Sequence, residues 1–190
     1  MPHIRETIVT TIGATGQVHI APIGIIVDGN GFVIAPFRPS ATLENLRTVP
    51  FAIANYTDDV RVFAGCLTGH RDWPTTASRC VPVPRLASAL AHAELEVVSV
   101  TEHAERPRFA CRVVHRETHA PFEGFNRAKA AVVEAAILVS RLDLLPRDKI
   151  EQEMAYLEIA IGKTSGTAER EAWEWLTRKI RAHYDPQEKS

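Results

Sequence analysis

Short apolar stretches separated by turn-forming residues fill roughly the first 120 positions of the chain. The alternation of apolar and polar residues predicts strands at 6–12, 18–27, 32–37, 51–56, 60–66, 94–102 and 108–118. The stretch Asp28-Gly29-Asn30-Gly31 is a strong hairpin signal, because these residues tolerate a positive φ. Strands at this spacing are typical of a β-barrel or a sandwich.

The apolar period changes after Phe122. Helical spacing predicts α-helices at 126–142, 146–161 and 167–183, the first of them apolar on most of its circumference. A stretch rich in Pro, Thr and Ser at 71–84 predicts an irregular connection, and a short helix is expected at 85–92. We therefore expect a β-barrel domain at 1–122 and a helical subdomain at 123–190.

Composition and charge narrow the class of partner. The 190 residues are 45% hydrophobic, and basic and acidic side chains are interspersed with a net charge of −1. This balance argues against a nucleic-acid surface or a polybasic membrane anchor and favours a small-molecule partner. No apolar run reaches the ~18 residues of a membrane span, and the first eight residues lack a signal-peptide core, so we expect a cytoplasmic protein. Cys66, Cys80 and Cys111 are odd in number and widely spaced, which favours reduced thiols.

The stretch 32–56 carries the strongest chemical signal. A predicted strand runs into Arg38-Pro39-Ser40-Ala41-Thr42, and a short helix begins there. A guanidinium, two hydroxyls and the free amides of a helix N-terminus together suit a phosphate dianion. The pattern predicts a phosphate site without a glycine-rich loop, and it leaves the identity of the phosphorylated ligand open.

Two other patterns favour structural interpretations. The TIGATG stretch at 11–16 resembles a dinucleotide-binding turn, but a β-branched run and not a helix follows it, so we expect a hairpin turn. Cys111, His115, Glu117 and His119 share odd parity, which would place them on one face of a strand. A straight strand separates the two imidazoles by ~13 Å, too far for one ion, so we favour outward polar residues and predict no metal site.

Asn126 and Arg127 open the first predicted helix after the barrel. Asn126 can cap it, whereas the cations at Arg127 and Lys129 oppose the helix dipole unless an anion lies nearby. Asn126 and Arg127 are therefore included in the predicted cofactor site, with solvated cations or an ion pair as an equal alternative. Glu134 is flanked by apolar residues and is expected to be a buried carboxylate.

Local spacing assembles no Ser/His/Asp set and no nucleophile elbow, so no catalytic residue is assigned. A redox cofactor requires positioning and electronic tuning, and it does not require a side-chain nucleophile. The phosphate turn and the missing nucleophile are therefore compatible with one another.

Three segments together resemble the flavin reductase-like branch of the FMN-binding split barrels, namely VHIAP at 18–22, FRPSATLENL at 37–46 and FAIANY at 51–56. In that branch an N-x-A-P strand lies along the isoalloxazine ring, and an Arg-Pro turn with hydroxyl residues holds the phosphate. The whole chain, including FEGFNRAK at 122–129, is similar to a narrower family called domain of unknown function 447. Its members are homodimeric FMN-binding split barrels with a helical C-terminal part.

The resemblance implies that FMN is the cofactor and assigns residues to it. The phosphate would lie on the turn formed by Arg38, Pro39, Ser40 and Thr42, with Asn45 near its end. The ring edge and ribityl chain would lie along a second group of residues, in which His19 stands where those reductases usually carry Asn. This group is His19, Ala21, Pro22, Asn55 and Tyr56.

The resemblance also implies a function. It predicts a homodimeric, flavin-dependent oxidoreductase that transfers hydride or electrons through FMN N5 to a small-molecule redox substrate. A link to pterin and one-carbon metabolism is part of the same expectation. The alternative is a non-catalytic flavin-binding or electron-carrier module.

Overall fold

A computed structural model describes residues 2–185 of the chain. The chain forms two compact units. The first contains the residues up to Thr57 together with Trp73–Phe122, and the second contains Asp58–Asp72 together with the residues from Glu123 onward. The first unit is a β-barrel and the second is helical.

Six long strands build the barrel unit. They are β1 (Ile4–Ile12), β2 (Val18–Asp28), β3 (Gly31–Ile34), β4 (Phe51–Tyr56), β7 (Ala91–Thr101) and β8 (Arg108–Thr118), with a short pair formed by β5 (Thr75–Thr76) and β6 (Arg85–Leu86). The long strands close in the order β1-β2-β3-β8-β7-β4, with antiparallel neighbours throughout. The predicted β-barrel is confirmed, and β4 and β8 have the predicted bounds.

The two predicted hairpins are also confirmed. Between β1 and β2, Gly13 N donates to Gln17 O at 3.0 Å, and Gly16 has a φ of 80°. Between β2 and β3, Gly29 has a φ of 54°, which an L side chain rarely adopts. The TIGATG stretch is therefore a hairpin turn.

The barrel interior is filled by apolar side chains from facing strands, among them the fully buried Ile25, Leu95 and Phe109. Helix α1 (Ala41–Thr48) adds Leu43 and Leu46, which are 0% and 1% exposed, to the same core. Burial of two leucines contributes about 3–6 kcal/mol as an upper estimate. This packing fixes α1, and with it the turn that precedes the helix, against the barrel.

The stretch 71–84 is largely irregular, as predicted, but the short helix predicted at 85–92 is wrong. Arg85 and Leu86 form β6, and Ala91 begins β7. The chain is extended here because it pairs with its neighbours: Leu90 N donates to Tyr56 O, and Leu86 N donates to the side chain of Asn55. These hydrogen-bond partners lie more than 30 residues away along the chain, so local spacing gives no sign of them.

The second unit consists of α2 (Val60–Thr68), α3 (Arg127–Val139), α4 (Arg147–Thr164) and α5 (Thr167–Tyr184). The helices predicted at 126–142, 146–161 and 167–183 are confirmed as α3, α4 and α5. Helix α3 packs against the other three helices, and α2 also packs against α5.

Helix α2 corrects the strand predicted at 60–66. Asp59 caps it by accepting a hydrogen bond from Arg61 N at 3.1 Å, and Gly69 ends it with a φ of 97°. The apolar run between these caps is buried on several sides, and periodicity alone does not separate a buried helix from a buried strand. Residues 58–72 accordingly lie with the helical unit, an excursion that the expected boundary at 122 did not include.

The prediction that Glu134 is a buried carboxylate is also wrong, because Glu134 is exposed on α3. Its apolar neighbours along the chain face other sides of the helix, where Ala135 and Ala136 are buried. Within residues 2–185, no helix combines the length and the apolar character needed to cross a bilayer.

Candidate functional site

The segment Arg38–Thr42, here called the anion turn, joins the end of β3 to α1. Ser40 adopts an extended conformation and caps α1, since its Oγ accepts a hydrogen bond from Leu43 N at 3.3 Å. That hydroxyl keeps its own proton for donation, and the first amides of a helix have no intrahelical acceptor. The turn therefore presents several hydrogen-bond donors at the positive end of a helix dipole.

The anion turn already holds one carboxylate of the chain itself. Arg38 Nη2 lies 2.9 Å from Glu102 Oε2, and Arg47 Nη2 lies 2.8 Å from Glu102 Oε1. The side chains of Arg38, Arg47 and Glu102 are 38%, 37% and 64% exposed, so these ion pairs are solvated and can exchange partners. The Arg38 guanidinium therefore already has an anionic partner, and that partner is exposed enough to be replaced.

The tip of the β7–β8 hairpin braces the anion turn. Arg38 N donates to Glu105 O at 2.8 Å, and Arg106 donates from Nε and Nη2 to Ala35 O at 3.0 and 2.7 Å. The Arg106 guanidinium also lies over the Phe37 ring, 4.3 Å from its centroid. Sequence reasoning missed Glu102 and Arg106, because contacts between segments more than 60 residues apart leave no local pattern; the charged tip at 105–108 was the available hint.

Asn45 fixes the other side of α1. Its Nδ2 donates to Thr11 Oγ1 at 3.0 Å, and a Cβ added at Gly13 would lie 3.3 Å from Asn45 Oδ1. Thr42 is 3% exposed. Of the predicted phosphate contacts, Arg38, Pro39 and Ser40 are therefore the accessible ones, while Asn45 positions the helix against β1.

The predicted ring contacts on β2 lie beside the same part of β1. His19 is the cross-strand partner of Thr11, Ala21 of Val9, and Pro22 of Ile8. All three β2 residues are half-buried. Thr11 thus has the anion-turn helix as one neighbour, through Asn45, and the predicted ring strand as another.

Asn55 and Tyr56 differ in whether their side chains are available to contact a ligand. Asn55 is fully buried; its Nδ2 donates to Ile8 O at 2.9 Å and its Oδ1 accepts from Leu86 N at 2.8 Å. These bonds use both ends of the Asn55 side-chain amide, which links β4 to β1 and β6. Tyr56 is half-buried, and burial raises the pKa of its phenol more than the nearby Arg5 lowers it, so the hydroxyl stays protonated and able to donate.

Asn126 and Arg127 belong to the helical unit. Asn126 caps α3 through Oδ1, which accepts from Ala128 N at 2.8 Å and Lys129 N at 3.1 Å. Lys129 forms an ion pair with Asp58, and Arg127 is exposed. An internal carboxylate thus neutralises Lys129, which is the ion-pair alternative; Arg127 stays a predicted cofactor contact.

Family models decide the relationship of the chain. The model described as the N-terminal domain of the protein of unknown function DUF447 matches residues 5–120, and the companion DUF447 model matches residues 126–178. The chain belongs to the DUF447 family. A search of curated proteins finds no match.

Solved structures share the fold of this DUF447 protein. An FMN-bound DUF447 protein from Methanosarcina mazei is 20% identical over 94% of this chain and 96% of that chain, with a TM-score of 0.80. The 2-nitrobenzoate 2-nitroreductase of Pseudomonas fluorescens is 20% identical over 63% of this chain and 66% of that chain, with a TM-score of 0.52. An FMN-binding protein from Thermus thermophilus is 18% identical over 62% and 73%, with a TM-score of 0.52. The match over both units confirms the predicted barrel with a helical C-terminal part.

The anion turn of the DUF447 chain has the donors that a phosphate monoester needs. It offers a planar guanidinium, a hydroxyl and helix N-terminal amides, all within one five-residue segment. The carboxylate of Glu102 competes for the Arg38 guanidinium.

Proposed function

We propose that this protein binds FMN with the phosphate on the anion turn and acts as a flavin-dependent oxidoreductase. The observation that carries the proposal is the combination of the exposed Arg38 guanidinium and the Ser40 hydroxyl at the N-terminus of α1. The fold supports the choice of FMN, because a DUF447 relative of the same fold is FMN-bound.

Arg38 and Ser40 would hold the phosphate. The guanidinium of Arg38 can offer two parallel N–H donors, and the Ser40 hydroxyl adds a third donor while it continues to cap α1. Binding would require Glu102 to leave Arg38, which its 64% exposure permits. Arg47 can retain Glu102 after that exchange, because it contacts both oxygens of the same carboxylate.

The remaining predicted contacts would orient the ring. Ala21 and Pro22 would present backbone along its edge, and the protonated phenol of Tyr56 would donate a hydrogen bond to the ring or ribityl chain. When bound, FMN supplies hydride or electron transfer at N5. The task of the barrel residues is to bind, orient and partly exclude water.

We also infer that the protein forms a homodimer. Strand β2 pairs with β1 from Val18 to Ile26, but it pairs with β3 only through Ile26, Val27 and Asp28. Among residues 2–185, no other strand covers the second edge of the stretch 18–25. An open strand edge is a ready surface for a second copy, and light scattering on the purified protein measures the predicted dimer mass directly.

Two experiments test the proposed function. The absorption spectrum of the purified protein, with mass identification of any released ligand, should reveal FMN; a protein that stays colourless after addition of FMN would refute the proposal. Anaerobic addition of NADH, NADPH or a tetrahydropterin to the loaded protein should bleach the flavin in an enzyme that uses that donor. A carrier without a small-molecule substrate would bind FMN and bleach with none of the three.

A further inference from the structure

Strands β7 and β8 bring five ionisable side chains to one face of the barrel sheet. His92 and Glu117 are cross-strand partners, as are Glu94 and His115. His119 follows β8 directly, and its backbone N donates to Leu90 O at 2.7 Å. We call these five residues the histidine cluster.

Glu94 is the most rigidly held member of the histidine cluster. It is fully buried, and its carboxylate accepts hydrogen bonds from the backbone N of Arg79 at 2.7 Å, Cys80 at 2.6 Å and Val81 at 2.9 Å. Three backbone hydrogen bonds stabilise the ionised carboxylate, so Glu94 acts only as an acceptor towards His92.

An accepting Glu94 determines the tautomer of His92. The two meet through His92 Nε2 and Glu94 Oε1 at 3.3 Å, so Nε2 carries the proton and donates it. The other nitrogen, Nδ1, is left with a lone pair that points away from Glu94. His92 is 2% exposed, so this lone pair is presented by a rigid, buried ring.

The His92 lone pair faces His119, and Glu117 lies close to both histidines. His119 Nε2 lies 2.9 Å from His92 Nδ1, and the two rings are nearly parallel, with centroids 5.1 Å apart. One ligand atom from each of His92, Glu117 and His119 lies within 4.8 Å of the others. His115 Nε2 is buried without a hydrogen-bond partner among residues 2–185, and it lies 3.5 Å from Glu117 Oε2.

We propose that His92 Nδ1, His119 Nε2 and a carboxylate oxygen of Glu117 bind one divalent transition-metal ion of the Zn²⁺ class. Two imidazoles and one carboxylate form a ligand set typical of zinc sites that keep an open position. A buried carboxylate behind a ligating histidine is the usual outer support of such a site, and Glu94 has that place.

The two nitrogens need only a small adjustment to share one ion, and the Glu117 carboxylate, within 4.8 Å of both, has to move towards it. Metal–nitrogen bonds of about 2.0–2.1 Å at a tetrahedral angle separate two nitrogens by about 3.3 Å, against 2.9 Å in the hydrogen-bonded pair. His119 and Glu117 are exposed and can move, while His92 stays in place. The site is thus one fixed ligand and two adjustable ones. This proposal does not depend on FMN binding.

Zinc titration by calorimetry tests the proposal. The protein should be untagged and treated with a chelator beforehand, with and without FMN. We expect one Zn²⁺ per chain, and both His119→Ala and Glu117→Gln should lower the affinity by at least the roughly 10- to 100-fold that loss of an outer-shell partner causes, because each removes a direct ligand. Both substitutions lie at exposed positions, and thermal unfolding would verify that the variants fold.

Two control variants separate this site from incidental zinc binding. His3→Ala removes an exposed imidazole outside the histidine cluster, and Cys80→Ser removes an exposed thiol. Both should bind zinc as the wild type does. The proposal is overturned if the wild type takes up no zinc, if His119→Ala binds it equally well, or if Cys80→Ser abolishes the binding.

Discussion

The anion turn and the histidine cluster both hold charged groups in the barrel unit, but they do so in opposite ways. In the anion turn, Arg38 and Glu102 meet in solvent through flexible side chains. In the histidine cluster, Glu94 is fully buried, and three backbone amides hold it. The first arrangement can exchange its anion for another, whereas the second cannot release its carboxylate without loss of structure.

The difference separates binding from support. An exposed ion pair contributes little stability, so the chain loses little when a ligand replaces it. A buried, fully hydrogen-bonded carboxylate contributes strongly, because its removal leaves several donors unpaired. Substitutions in the two regions should therefore affect different measurements: ligand affinity for the turn, and unfolding for the buried network.

The largest expected effect is that of Glu94→Ala. It leaves the amides of 79–81 and His92 without their acceptor, and we expect the free energy of unfolding to fall by about 3–5 kcal/mol. Glu96→Ala is the matched control, because Glu96 is half-buried and pairs with exposed Arg112; we expect less than about 1 kcal/mol. Urea denaturation measures both, and equal losses would refute the contrast.

Asn55→Ala should cause the second-largest loss of stability. Asn55 faces His92 across β4 and β7, and its loss leaves Leu86 N and Ile8 O unpaired inside the barrel. We expect a loss of about 2–3 kcal/mol in the free energy of unfolding, with or without FMN. If the variant keeps its apo stability and loses FMN affinity instead, Asn55 is a ligand contact as the family resemblance implied.

Arg38→Ala tests the anion turn. We expect FMN affinity to fall about 10- to 100-fold, because a charge-assisted contact to phosphate is lost, with apo stability nearly unchanged. Arg47 is a poor control, since it shares Glu102 with Arg38. Arg112→Ala removes an exposed guanidinium whose partner is Glu96, and it should leave FMN fluorescence quenching unchanged.

Glu102→Gln should give the smallest effect and the opposite sign. The substitution removes the carboxylate that competes for Arg38, so we expect FMN affinity to rise about two- to fivefold. Flavin fluorescence titration at low ionic strength measures the change. A weaker affinity would mean that Glu102 supports the bound ligand and does not compete with it.

Local pattern predicted much of the fold. Strands β4 and β8 and helices α3 to α5 follow from periodicity and caps, and the start of helix α1 after Ser40 follows from residue types within five positions. Phosphate binding by this turn stays a prediction. The strand predicted at 60–66 was wrong because its apolar run fits either period, although Asp59 and Gly69 were cap signals for α2 on each side.

Contacts between strands could not be predicted from the sequence pattern. The pairing of His92 with Glu117 depends on the register of β7 against β8. A shift by one residue would place Ala91 or Ala93 opposite Glu117 in place of His92. For the same reason, the strand pattern at 111–119 predicted no metal site, since His92, the buried histidine of the proposed site, comes from the neighbouring strand. Glu102 on Arg38 is likewise a contact between distant segments.

Phosphate binding at the anion turn is tested most sharply by comparing FMN with riboflavin, which lacks the phosphate, on wild type and Arg38→Ala. We expect the wild type to bind FMN at least about tenfold more tightly than riboflavin, and Arg38→Ala to remove most of this preference. Equal affinity of the wild type for both flavins, or an unchanged preference in Arg38→Ala, would contradict the claim that the anion turn holds the phosphate.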